Sequence, residues 1–203
     1  MKTAGQFNSP PKDYHLVVPD GWFRLLLEPD QRDRSIVALA NLTFSGRDDV
    51  PHLKKEFMHD LQRRAKGAYR VGGTELYLST MTVGPLPLAS SLLISVPSQD
   101  EWPQVSDVEE LAEHMADRVL GDDHEVGVAE LAAAGKAVRQ RKREAPDSEA
   151  QLGNTLPTTT LTYYVPIPAT TRWLMLTFST PVDPLADRMV ELFDTVAGTL
   201  YWE

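Results

Sequence analysis

Residues 158–180 read TTTLTYYVPIPATTRWLMLTFST. Thr158–Ile167 is β-branched and aromatic, the composition that suits a pleated surface. Trp173–Ser179 is a second run of the same kind, and the link PATTR between them has the length of a hairpin loop, so the two runs pair antiparallel. Trp173, Leu174, Met175 and Leu176 are apolar in succession. A strand with no polar side is covered on both faces. The pair therefore belongs inside a layered molecule.

Downstream, Asp183–Pro184 supplies a capping residue and a proline at the first turn of a last helix. Leu185, Met189, Phe193, Val196 and Leu200 form its buried stripe. Upstream, residues 145–156 (APDSEAQLGNTL) read as a loop. Residues 124–144 admit two readings. Propensity favours a helix, but Gly127 and Gly135 oppose it. A hairpin turning at Ala134–Gly135, with Val126 and Val128 facing Val138, is preferred. Ser106 and Glu109 form a capping box for a helix carrying Val108, Leu111, Met115 and Val119 and ending at Gly121.

Residues 1–13 read as a flexible tail, and 14–203 as a single domain. Tyr14–Val18 and Trp22–Leu27 are short strands around the turn Pro19–Gly21. Pro29–Phe44 is helical. Pro51 opens a second helix, with Asp49 near its cap and Leu53, Phe57, Leu61, Ala65 and Tyr69 as its stripe, ended by Gly72–Gly73. Glu75–Val83 and Ser90–Val96 are strands, joined through a bent connection containing Pro85 and Pro87. Strands joined by short links pair antiparallel, so the fold class is α+β, an antiparallel sheet with helices packed on its faces.

The chain has 203 residues, is 42% hydrophobic and carries a formal charge of −9. The acidic balance argues against nucleic-acid and anionic-membrane binding. Cysteine is absent, which removes disulfides and thiol chemistry. No run approaches the roughly 18 apolar residues of a membrane span. No secretory pattern opens the sequence, so a cytoplasmic location is expected.

Phosphate-loop, dinucleotide, nucleophile-elbow and zinc-helix motifs are all absent. His52, Glu56 and His59 share a helix face at metal-ligand spacing, but that face lies opposite the apolar stripe and reads as solvated surface. Asp122, Asp123 and His124 follow Gly121 where a polar turn is expected anyway. No catalytic residue, metal or cofactor is assigned. Lys136, Arg139, Arg141, Lys142 and Arg143 form a basic cluster. On a strand, Arg139, Arg141 and Arg143 point to one side and could engage a carboxylate surface. Lys136, Arg139, Arg141, Arg143 and the loop residue Trp102 are the expected partner-binding residues.

LVVPDGW (Leu16–Trp22) resembles the opening motif of PsbP-like domains, a superfamily that also holds DcrB-type and LpqN-type domains and a Ran-binding nuclear-import factor. FDTVAGTLYW (Phe193–Trp202) resembles its closing helix. TLTYYVPIP with RWLMLTFST, and AELAAAGKAVRQR, resemble its hairpins. The resemblance implies a PsbP-like αβα sandwich that docks a protein partner, as a binding, adaptor or chaperone-like domain without enzymatic activity. The alternative is a small-ligand carrier or enzyme with a pocket between sheet and helices, where His114, Tyr163 and Tyr164 are the residues to watch. Monomer and homodimer both remain open.

Overall fold

The computed structural model describes residues 7–47, 49–84, 86–103, 105, 107–118, 123–145 and 156–203. In chain order its elements are β1 (Tyr14–His15), β2 (Trp22–Leu26), α1 (Pro29–Thr43), α2 (Pro51–Arg70), β3 (Gly73–Ser79), β4 (Thr82–Val83), β5 (Leu86–Pro87) and β6 (Ser91–Ser95). After these come α3 (Val108–Ala116), β7 (His124–Leu131), β8 (Gly135–Glu144), β9 (Thr158–Pro166), β10 (Trp173–Thr180), α4 (Ala186–Ala197) and β11 (Tyr201–Trp202). Seven strands form one antiparallel sheet in the order β2-β3-β6-β10-β9-β8-β7. The hairpin β9–β10 stands mid-sheet, from Trp173 opposite Pro166 to Thr180 opposite Thr159.

Directly opposed residues share a face. One row therefore crosses the sheet as Leu25, Leu76, Leu93, Thr177, Thr162, Gln140 and Val126. On this face α1 and α2 cover one end, where Leu25 and Leu27 pack with Ile36, Leu39, Leu61 and Ala65. At the other end Val108 and Leu111 of α3 pack on Val138, Tyr164 and Trp173. The opposite face belongs to α4, whose Met189, Val190, Phe193 and Val196 meet Leu161, Tyr163, Leu174, Leu176 and Phe178. The Phe193 ring stacks on Phe178 at 4.9 Å and meets Trp22 edge-on at 6.3 Å. The fold is α+β, with helices on both faces of an antiparallel sheet.

Several boundaries differ from the sequence reading. Leu53 and Tyr69 of α2 are 44% and 38% exposed, whereas Leu61 and Ala65 are buried. Strict steps of four drift around a helix that turns every ~3.6 residues, so such a stripe leaves the core at both ends. Val50, not Asp49, stands at the α2 N-cap. Asp107 caps α3, accepting from Glu110 N–H at 2.8 Å; Ser106, Val119 and Gly121 lie outside the described residues, as do 146–155 of the expected loop. The alternating reading of 124–144 is the one realised, with Leu131 opposite Gly135. Asp183 begins a 3-10 turn, and α4 proper starts at Ala186.

The expected strand 75–83 stops at Ser79. Thr80 donates both its N–H (2.7 Å) and its hydroxyl (2.8 Å) to the Gly21 carbonyl, extending the contact of β3 with β2 by one residue, and the chain then turns into the arm β4–β5. Gly21 has φ +83°, and a Cβ there would lie 2.7 Å from Met81 Cγ, so the PDG turn and the arm fit only through glycine. At the chain ends, Tyr14 opposes Trp202 and His15 opposes Tyr201. Lys12 N–H donates to the Glu203 carbonyl at 2.7 Å, and Phe7 packs against the core.

Replacing Phe193 by alanine should cost about 3–5 kcal/mol of folding stability in urea denaturation. Leu185→Ala, at a site 39% exposed, should change it by less than about 1 kcal/mol. Similar losses for the two would contradict the placement of α4.

Candidate functional site

The odd-numbered residues of β8 face α4, so Arg139, Arg141 and Arg143 do share one side, and that side is already met by carboxylates of the same chain. Arg139 donates through Nε (2.8 Å) and Nη2 (2.9 Å) to Asp194. Arg141 Nη2 reaches Asp187 Oδ1 at 2.5 Å. Arg143 donates through Nε (2.9 Å) and Nη2 (3.1 Å) to Asp183. These planar forks are matched bidentate pairs at two of the three positions. Tyr163, opposite Arg139 on β9, donates its hydroxyl to Asp194 Oδ1 at 2.6 Å. The Asp194 hydrogen bond holds the Arg139 guanidinium above its ordinary value, and Asp183 does the same for Arg143.

Lys136 projects to the other face and bonds Glu109 of α3 at 2.5 Å. Trp102 also belongs to that face, with its ring 5.7 Å from Tyr164 and 6.1 Å from Trp173. The sheet thus separates the expected partner-binding residues: the arginines stand under α4, Lys136 and Trp102 beside α3. The alternative trio is divided in the same way. Tyr163 and Tyr164 are chain neighbours and point to opposite faces. Tyr164 donates to Gln140 Oε1 at 2.7 Å, and Gln140 Nε2 lies 2.8 Å from His124 Nε2. Burial pushes the Tyr164 phenol up to about 12. His114 lines a 430 Å³ depression with Trp102, Glu110 and Arg118. Among the described residues its Nε2 and the Trp102 indole N–H are buried without hydrogen-bond partners.

His52, Glu56 and His59 are exposed on α2. Among the described residues no group of three or more His, Cys, Asp or Glu side chains is arranged to hold a metal ion. Asp123 contributes its carbonyl to Arg143 N–H at 3.0 Å; Asp122 lies outside the described residues. Among the described residues no helix is long and apolar enough to cross a membrane.

A feature that sequence reading missed lies between α1, α2 and the root of the β4–β5 arm. A 620 Å³ cleft is lined by Leu39, Leu42, Phe57, Leu78, Met81 and Pro87, with hydroxyls of Thr43, Ser79, Thr80 and Ser90 among the walls. Its lining contains no ionisable side chain. Leu42, on its wall, is 56% exposed, and the arm that carries Met81 and Pro87 ends at Val83, 58% exposed. Its walls come from separate elements, so no local motif announces it.

No family model matches the sequence, and no curated protein matches it. Two solved structures are similar in shape. The Ran-binding protein Mog1p of Saccharomyces cerevisiae is 9% identical, with 63% of this chain and 78% of that chain covered at a TM-score of 0.40. The cyanobacterial PsbP (CyanoP) of Synechocystis sp. PCC 6803 is 12% identical, with 94% of this chain and 86% of that chain covered at a TM-score of 0.41. Neither likeness places the chain in a family.

Two outcomes test the site chemistry. Asp194→Ala leaves Arg139 and Tyr163 without their shared acceptor and should cost about 2–3 kcal/mol. Asp187→Ala, at a side chain 82% exposed, should cost under about 1 kcal/mol. The second concerns pH. Burial, first among its causes, raises Tyr163, and it raises Tyr164 to about 12. A phenol raised in the fold keeps its proton where the unfolded chain releases it, near pH ~10. Stability should therefore be full below pH ~10 and fall toward pH ~12, with Tyr164→Phe flattening the fall; a urea midpoint unchanged across that window would contradict the assignment.

Proposed function

We propose that this protein is a non-enzymatic docking domain that holds a protein partner through the cleft between α1, α2 and the β4–β5 arm. The observation that carries the reading is the 620 Å³ apolar cleft whose own wall includes Leu42, an apolar side chain left 56% exposed. A guest small enough to lie inside would leave the outer side of Leu42 wet. A protein surface that inserts one or two apolar anchors would cover cleft and rim together, which is how small grooves gain affinity from neighbouring contact. Ser79, Thr80 and Ser90 engage their hydroxyls with the backbone of Met81, Gly21 and Leu88, so the hold on the inserted segment is chiefly apolar.

In this reading the arginine row serves the scaffold. Asp183, Asp187 and Asp194 occupy its guanidinium groups and fasten α4 to the sheet. A PsbP-like assignment belongs to the same proposal, supported by the contact between its opening and closing segments through Trp22 and Phe193. The second reading, a carrier of a small apolar ligand, draws on the same lining and on its lack of charge.

A photoreactive phenylalanine analogue at Val83, introduced in the native host, separates the two. Docking predicts one discrete protein adduct, lost when Leu42→Glu is added and absent when the analogue sits at Val128, an exposed position on β7. Native mass spectrometry that finds a retained small molecule, with no protein adduct at Val83, would overturn the docking reading in favour of the carrier.

A further inference from the structure

The strongest departure from the acidic character of the chain is α2. It carries six cations (Lys54, Lys55, Arg63, Arg64, Lys66 and Arg70) and two carboxylates (Glu56 and Asp60), a formal +4. The whole chain stands at −9, so everything outside this helix sums to −13. Four of these cations are also ordered, with one histidine among them. Lys55, His59, Arg63, Lys66 and Arg70 recur at steps of four, four, three and four, which keeps them within about 100° of helix circumference. All five are exposed, and the buried Leu61 and Ala65 lie on the far side of the helix. Arg63 bonds Asp60 at 2.8 Å. Among the described residues Lys55, Lys66 and Arg70 hold no ion pair, in contrast to the arginines of β8.

The stripe is also shaped. A 330 Å³ depression along Lys54, Lys55 and Met58 and a 240 Å³ depression along Arg63, Lys66 and Arg70 adjoin, sharing His59 and Gln62. Together they form a shallow trough along the helix. From Lys55 to Arg70 the rise is about 22 Å.

We propose that this trough docks an acidic protein segment of matching length, with glutamate or aspartate side chains spaced to meet the row. Charge complementarity selects the occupant. A nucleic-acid duplex carries a phosphate charge about every 1.7 Å and runs past the ends of the helix, where the −13 body repels it. A membrane surface needs apolar side chains interleaved with the cations along the whole row; here Pro51 and Met58 adjoin only its first end, and the depression along Arg63, Lys66 and Arg70 is lined by polar and charged side chains alone. A short acidic segment fits wholly inside the positive strip and is steered to it by the field of the divided charge. The inference does not rest on the apolar cleft, which lies on the sheet side of α2.

Fluorescence anisotropy of the full chain with a labelled, glutamate-rich helical peptide of about 16 residues tests it. The expected result is saturable binding at low salt that weakens at least about tenfold as salt rises from ~50 to ~200 mM. The triple variant Lys55→Glu, Lys66→Glu, Arg70→Glu should lose at least about tenfold in affinity at an unchanged melting temperature. Arg188→Glu, an exposed cation on α4, and Leu42→Glu in the cleft should bind as the parent does. No binding at ~50 mM salt, equal affinity for the triple variant, or tighter binding of a duplex DNA of the same length or of phosphatidylserine vesicles would each overturn the proposal.

Discussion

Everything in this molecule is organised around the seat of Phe193 on the sheet. A seven-stranded antiparallel sheet has two apolar faces to remove from water, and one of them is closed by a single short helix. That helix succeeds because Phe193 lies fully buried, stacked on Phe178 of a central strand and touching Trp22 near the sheet's edge. The stack sets the place of α4 along the sheet, and the pairs Arg139–Asp194 and Arg141–Asp187 orient it, with Arg143–Asp183 holding the turn that leads into it. Charged forks at the margin of an apolar contact add direction to an attraction that has none of its own.

The opposite face is handled differently. Three helices share it, and they divide it between the two ends of the sheet. Between them the central strands present Thr160, Thr162, Thr177 and Ser179 rather than large apolar residues. Thr160 and Thr162 are buried there, and Ser91 and Ser179 bond to each other at 2.8 Å. On this side of the molecule α2 keeps one flank in solvent, where, among the described residues, Lys55, Lys66 and Arg70 hold no ion pair.

What could be read from the chain followed the reach of each signal. The hairpin β9–β10 was legible because a fully apolar strand has few alternatives, and β7–β8 because Gly127 and Gly135 weaken a helix. The arm β4–β5 was not, since strands of two residues, Thr82–Val83 and Leu86–Pro87, are too short to leave a periodic pattern. The arginines were found, and their common side was found. Their acceptors Asp183, Asp187 and Asp194 were not, because only the fold brings α4 over β8. The cleft left no local trace at all. The charge on α2 is present in the letters, but neither its apolar period nor the metal-ligand spacing of His52, Glu56 and His59 counts lysines and arginines along a helix face.

The pairing of β1 with β11 has a mechanical consequence. Tyr14 opposes Trp202 in an antiparallel ladder, and Lys12 N–H bonds the Glu203 carbonyl, so the segments flanking β1 and β11 toward the two termini lie at the same end of that ladder. Tension applied between them loads its bonds one after another, not all at once. Under force this protein would open like a zip from its termini, parting at low load and passing the strain next to the strand that follows the PDG turn and to the helix seated by Phe193.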